Sequence, residues 1–350
     1  MAAIIPLFIP HEGCPHTCIF CNQRHTRPSP EPVTPQQAAD TITTWLARLQ
    51  PQQQQSTQST QATARTVEVA FYGGSFTALP RLRQEELLHA VQPFLAQGLV
   101  QGIRLSTRPD SIDTDTLLML KRAGVRLIEL GVQSCDDAVL ARSGRGHSHA
   151  DTLRASRLIR KAGLQLGWQL MLGMPGEGFA AIRRKVAACI QERPDCIRIY
   201  PLVVLRGSRL AEKWRSGLFQ PLSLKKAVLF CAYMKKHFDA HNLPIIRMGL
   251  QASSELEENL LAGPYHPAFG ELVRARMMLM QTRALLSGYH QKEPCTLRIA
   301  PQDISVFIGM KRSNILRLEE LGLSTRFTLK PDTCLPRQSL RLDVSPQLFQ

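Results

Sequence analysis

Residues 14–21 read CPHTCIFC and set Cys14, Cys18 and Cys21 in a Cys-x3-Cys-x2-Cys spacing. No further cysteine follows until Cys135. In a reducing compartment a tight group of thiols points to metal or redox chemistry. A structural zinc site takes four ligands, usually as two close pairs. The second pair is missing here, so zinc would need a nitrogen from His11, His16 or His25. The other solution is a [4Fe–4S] cluster held by three thiolates, with one iron left open for a substrate or cosubstrate. The other six cysteines (Cys135, Cys189, Cys196, Cys231, Cys295, Cys334) are scattered singly and read mostly as small core residues.

The elements that must position this loop alternate. Apolar β-rich runs at 4–10, 67–74, 102–110, 126–134, 166–176 and 195–205 are separated by helical patterns. That rhythm signals a parallel β/α sheet, and nearly continuous apolar strands imply cover on both faces. Functional groups then gather at the carboxyl ends of the strands. CPHTCIFC, YGGSF, STRPD, GVQS, LGMPG and YPLVVLRGS all fall there. The helix at 34–50 begins at Thr34 and Pro35, a cap and first-turn pair. Residues 51–64, rich in Gln and Thr and without apolar periodicity, read as a disordered surface insertion. From about residue 222 the rhythm changes, with one more strand at 243–251. The expected division is 1–254 for the core and 255–350 for a helical and α+β extension.

The chain has 350 residues, 44% of them hydrophobic, enough for a barrel-sized core with an appended module. No apolar run approaches the roughly 20 residues that span a bilayer. The N-terminal MAAIIPLFIPHEG lacks a basic n-region and reads as a buried strand, not a signal peptide. A cytoplasmic protein with no membrane partner is expected. The formal charge of +15 and pI near 9.8 attract polyanions, nucleic acid first.

With these residues in place, the sequence resembles the radical S-adenosylmethionine (SAM) superfamily. CPHTCIFC matches its cysteine signature, and the likeness runs over about 250 residues. The resemblance implies a partial (β/α)6 TIM-like barrel, one [4Fe–4S] cluster on Cys14, Cys18 and Cys21, and SAM chelated through its amino and carboxylate groups by the open iron. It implies that an electron from a donor such as flavodoxin or ferredoxin cleaves the sulfonium, and that the 5′-deoxyadenosyl radical takes hydrogen from a substrate. Carried over position by position, it places Phe20 against the adenine and Gly73, Gly74 and Ser75 beside the SAM ammonium. Ser106, Thr107 and Arg108 end strand three, where ribose and carboxylate contacts are made. Gln133 and Gln169 are expected at the ribose, Arg145 at the carboxylate, and Gly173 and Pro175 on the adenine side.

YGGSFTALP, LSTRPDSID, ELGVQS and MLGMPGE together look most like the Elongator catalytic-subunit branch, with coproporphyrinogen-oxidase relatives near. The sequence departs from the full Elongator subunit in showing no acetyltransferase domain, so acetyl transfer is not carried over. It departs from the porphyrin enzymes in having Phe20, not tyrosine, before the last cysteine. Residues 311–341 hold seven Lys/Arg and three Asp/Glu. Lys311 and Arg312 precede a helix, where backbone amides also favour phosphate. Arg247 and Gln251 are expected near the barrel mouth, and His266 is weighed as a proton relay against a core histidine. Three functions stay open: a radical enzyme acting on RNA, one acting on a small metabolite or tetrapyrrole, and a non-catalytic RNA-binding protein that keeps its cluster.

Overall fold

In the strand Val67–Tyr72, Val69 and Phe71 are sealed from solvent while Glu68 and Tyr72, on the other face, are only half-buried. This period of two recurs along the sheet. The computed structural model describes residues 3–9, 12–15, 17–22, 32–56, 66–290 and 293–343. Six strands pair in chain order: β1 (Ala3–Phe8), β2 (Val67–Tyr72), β3 (Gly102–Thr107), β4 (Val125–Gln133), β5 (Gln165–Leu172) and β6 (Cys196–Pro201). β7 (Val204–Leu205) leaves the sheet, and β8 (Ile245–Met248) joins β6 as a seventh strand. Every neighbouring pair in this sheet is parallel. β7 pairs antiparallel with β9 (Leu260–Ala262).

Helices supply the crossovers. α1 (Pro35–Ser56) follows β1, and α2 (Arg81–His89) and α3 (Gln92–Ala96) follow β2. α4 (Thr114–Arg122) follows β3, and α5 (Asp137–Arg142) and α6 (His149–Lys161) follow β4. α7 (Phe179–Glu192) follows β5, and α8 (Arg209–Arg215) and α9 (Leu224–Ala240) lie between β7 and β8. Their starts are written locally. Asp113 accepts from the Thr116 amide, and Ser148 forms a reciprocal capping box with Asp151. The apolar face of the sheet meets these helices in one core that includes Phe71, Ile103, Ile128, Trp168 and Ile197. The result is the partial TIM-like barrel of the radical SAM type.

Two sequence expectations change. The strands are not apolar on both faces: Glu68, Arg104, Glu129, Gln169 and Arg198 alternate with core residues and bond to one another on the opposite face. The inner face of an unclosed barrel has no helix over it and so accepts polar side chains. α1 runs to Ser56, six residues into the segment expected as a disordered insertion, and residues 57–64 lie outside the described residues.

Beyond β9, α11 (Phe269–Ser287) serves two cores. Phe269 and Val273 join the main core, while Met278 and Leu279 pack with Ile299, Phe307 and Leu318. That second cluster lies under a three-stranded sheet with β10 (Cys295–Ile299) at its centre, β11 (Phe327–Pro331) parallel and β12 (Leu340–Asp343) antiparallel to it. α12 (Ile304–Ile308) and α13 (Ser313–Glu320) cover it. α10 (Ser254–Asn259) precedes β9. No helix among the described residues is long and apolar enough to cross a membrane.

Candidate active site at the carboxyl ends of the strands

The cysteine loop leaves β1 and is fastened at both ends. The Ser75 amide donates to the Glu12 carbonyl at 3.0 Å, the Ile19 amide to Ser143 at 3.1 Å, and the Leu210 amide to the Ile19 carbonyl at 2.7 Å. Glycine makes the first fastening possible. A Cβ on Gly74 would lie 2.6 Å from the Ile9 carbonyl oxygen and 2.7 Å from that of Glu12. A Cβ on Gly13 would lie 2.5 Å from the Ser75 carbonyl oxygen. The cysteine loop and the GGS turn thus touch backbone to backbone.

Cys18 is buried and Cys14 and Cys21 are half-buried, and none of the three is in a disulfide. Burial raises the Cys14 thiol and takes Cys21 up to about 12, and the neighbouring cysteines push in the same direction. Cys14 and Cys21 thus resist losing their protons, which suits a polycation that takes the protons' place. Among the described residues no three His, Cys, Asp or Glu side chains converge on a single metal ion. A cube takes one thiolate per corner, so its ligands stand further apart than those of a single ion. The donor set fits the cluster.

Arg145 stands behind this loop. It is 8% exposed; its Nη1 lies 3.3 Å from the Cys18 sulfur and its Nη2 donates to the Gly131 carbonyl at 2.7 Å. Its Nε is buried without a partner. Gln133, at the end of β4, has φ +62 and a buried, unpartnered Oε1. A left-handed non-glycine residue costs energy that the surroundings must hold. A Cβ on Gly131 would meet both Arg145 Nη2 (2.8 Å) and Gln133 Nε2 (3.1 Å), so the three residues meet at one spot.

Other expected residues are more committed. Arg108 holds Asp110 through Nε (2.9 Å) and Nη2 (2.7 Å), and only its buried Nη1 lacks a partner. Ser75 is 1% exposed; its hydroxyl bonds Thr107 Oγ1 at 3.1 Å and accepts from the Arg108 amide at 3.2 Å. It ties β2 to β3. Gln169 donates to Ser106 (2.8 Å) and to Glu129 (3.0 Å), below the mouth. Gly173 has φ +88 and its amide donates to Glu177 at 2.7 Å; Glu177 is held by Lys185 at 2.6 Å, both side chains fully buried. Pro175 is half-buried in that turn. Phe20 packs between the Leu202, Val204 and Leu210 cluster and the Val139, Met174 and Ala181 cluster. Gly73 has φ +94.

His266 accepts from the Ala268 amide at 3.0 Å and so serves a turn. Arg247 donates to the Gly249 carbonyl at 3.2 Å, and Gln251 is exposed. Lys311 and Arg312 precede α13, both with positive φ and both exposed.

Sequence reasoning missed the group on the inner face. Glu129, 1% exposed, accepts from Tyr72 (3.1 Å), Gln169 (3.0 Å) and Arg198 Nη2 (3.0 Å), with Arg198 Nε in ion-pair contact at 2.5 Å and Arg104 at 3.6 Å. Arg198 also lies over the Tyr72 ring. Charged residues at alternate positions of otherwise apolar strands were the available signal. His147 was also missed. Burial, Arg145 and Arg108 hold its imidazole down to about 3, so it is neutral, with Nε2 3.3 Å from the Val132 carbonyl.

Residues 8–184 match the model of the radical SAM superfamily, and residues 194–279 match that of the radical SAM C-terminal domain. The chain is similar to the tRNA uridine(34) acetyltransferase of Methanocaldococcus jannaschii, at 26% identity over 67% of this chain and 48% of the relative. It is similar to protein YhcC of Escherichia coli at 31% identity, over 42% of this chain and 48% of the relative. The chain thus spans about half of each. The fold resembles that of archaeal Methanocaldococcus infernus Elp3, with a TM-score of 0.59 and 21% identity over 79% of this chain and 62% of that one. The chain belongs to the radical SAM superfamily, is an enzyme of that class, and has relatives of the Elongator type.

Proposed function

We propose that this chain carries one [4Fe–4S] cluster on Cys14, Cys18 and Cys21, cleaves SAM reductively, and acts on RNA in a tRNA-modification type of reaction. When bound, the cluster supplies the electron that breaks the SAM sulfonium and releases a 5′-deoxyadenosyl radical. The protein's part is to orient and to exclude water. Arg145 places positive charge beside Cys18 and offers Nε toward an anionic group. Gln133 offers an acceptor for a hydroxyl, and Arg108 offers Nη1. Gly73 and Gly74 keep the backbone of the GGS turn open to close approach, and Ser75, Ser106 and Gln169 hold the strand ends in register. Phe20, Gly173 and Pro175 form the adenine side. The electron comes from a flavodoxin- or ferredoxin-type donor. Residues 1–254 form the radical core, and 255–350 the extension.

The observation that carries this reading is a set of buried, unpartnered polar atoms: Nε of Arg145, whose Nη1 touches Cys18, and Arg108 Nη1 and Gln133 Oε1 at the ends of β3 and β4. Native interiors rarely leave such atoms unpaired, so each is available to a polar ligand. The RNA part rests on the charge of +15 and on the tRNA-modifying relative. The test is anaerobic reconstitution with SAM and a reductant, with and without bulk tRNA. 5′-Deoxyadenosine that rises with tRNA is the expected result. Formation indifferent to tRNA would remove the RNA part, and none at all with an intact cluster would remove catalysis.

A further inference from the structure

Residues 269–343 hold twelve Lys/Arg against seven Asp/Glu. Most of the acids are already engaged: Asp343 with Arg298, Glu319 with Arg312, Asp303 with Arg337, and Asp332 with Arg341. Arg276 and Arg283 have no ion pair among the described residues. They lie seven residues apart on α11, so they share one face of the helix and stand about 10 Å apart along it. Met280 and Ser287 continue the same stripe.

Arg276 is the informative residue. It is half-buried, its Nε is buried with no partner, and the charges it feels are those of Arg283 and Arg317. Burial and these like charges lower its pKa. Arg283 and Arg317 stand near enough for their charges to act against that of Arg276, whose Nε has lost its hydration. An arginine stem that merely covers apolar surface leaves its head in water. This one does not. Arg317 does pair with Glu320 at 2.7 Å, but that pair is exposed and so weak.

Next to the stripe is a groove of about 420 Å³, lined by Met280, Arg283, Ala284, Ser287, Leu323 and Arg326. Arg326 hydrogen-bonds the Tyr289 carbonyl, which fixes its head at the groove edge. The groove therefore offers cations along its length and apolar floor between them. α11 begins against the carboxyl end of β8, where a Cβ on Gly249 would lie 2.8 Å from Phe269 Cβ. The stripe starts about 10 Å along the helix from that end of the sheet.

We propose that Arg276, Arg283, Arg317 and Arg326 form a docking stripe for the sugar–phosphate backbone of an RNA whose reacting nucleotide enters the barrel mouth. Spaced arginines, two of them (Arg276 and Arg283) without an ion pair among the described residues, suit successive phosphates, and Met280 and Leu323 suit the apolar faces of ribose or base. The proposal rests on the RNA reading above and adds the surface that holds the RNA.

The test uses the full reconstituted chain, with bulk tRNA as the probe and a polyglutamate peptide as the competing polyanion. Arg276→Gln with Arg283→Gln is compared with Arg276→Lys with Arg283→Lys, each checked for an unchanged melting transition. The glutamine pair is expected to weaken tRNA binding at least about tenfold near physiological salt. It should also flatten the slope of log K against log salt by about 1.4 to 1.8, the loss of two phosphate contacts. The lysine pair should keep most of that slope, and 5′-deoxyadenosine formed without tRNA should not change. Wild-type tRNA binding that the glutamine pair leaves untouched overturns the stripe while the RNA reading stands. Wild-type chain that does not bind tRNA overturns both. Polyglutamate bound as tightly as tRNA overturns the choice of RNA.

Discussion

Arg145 sets its Nη1 3.3 Å from the Cys18 sulfur while its Nη2 grips the Gly131 carbonyl at 2.7 Å. One side chain thereby couples the cysteine loop after β1 to the end of β4. A planar fork held at both tines positions what lies between them. Arg145→Lys should therefore fail nearly as badly as Arg145→Ala. Both should retain iron and lose about 10- to 100-fold in 5′-deoxyadenosine formation, the usual cost of an outer-shell partner. Wild-type rates in the lysine variant would show that charge alone suffices.

The two glycines of the GGS turn should respond differently. Gly73 carries φ +94, and a new Cβ there would make only ordinary van der Waals contact, its nearest atoms 3.6 Å away. Gly73→Ala should cost about 1–2 kcal/mol of stability through backbone strain and leave iron content near normal. Gly74→Ala drives a methyl group into two carbonyl oxygens of the chain leading to the cysteines. It should cost about 1–3 kcal/mol and lower the iron bound per chain. Iron assays and denaturant melts on the two variants give the comparison.

His147 gives the acid limit a source. Unfolded, its imidazole takes a proton below about pH 6.5. Folded, burial and the charges of Arg145 and Arg108 refuse that proton until about pH 3. Between these values the unfolded chain binds more protons, so stability is full above the unfolded value and falls as pH falls. The slope contributed is at most about 1.4 kcal/mol per pH unit. In His147→Gln the stability–pH curve should flatten across that window. An unchanged curve would show that other groups set it.

Glu129 is the hub of the inner face. Glu129→Gln keeps the shape but leaves Arg104 and Arg198 without their shared counter-charge. The expected loss is about 3–5 kcal/mol in a denaturant melt. Replacing Glu129 by Leu together with Arg198→Met should cost less than Glu129→Gln alone, because the uncompensated charge goes too. A double variant less stable than the single one would contradict the account of this network.

The strand–helix rhythm was legible because local signals agree with the final packing. Apolar runs end in Gly or Pro, Thr34–Pro35 opens α1, and Gly124 and Gly163 stop helices. The expected strands at 102–110, 166–176 and 195–205 overshoot β3, β5 and β6 at their carboxyl ends. Arg108 and Gly173 stand in the overshoot, beyond the last ladder bonds, where Arg108 turns to Asp110 and the Gly173 amide to Glu177. The role of Glu129 was not legible. A lone charged residue in a strand shows its partners only once β2, β4, β5 and β6 lie side by side, up to 126 residues apart in sequence. The double service of α11 was hidden for the same reason: which core Phe269 or Met278 joins is decided by tertiary contact, not by helical periodicity.

The most direct measurement is iron content and 5′-deoxyadenosine formation after anaerobic reconstitution of the wild-type chain and of Cys18→Ala. About four irons per wild-type chain, SAM cleavage on reduction, and loss of both in Cys18→Ala are the predicted results. Zinc retained in place of iron, or SAM cleavage surviving in Cys18→Ala, would contradict the account.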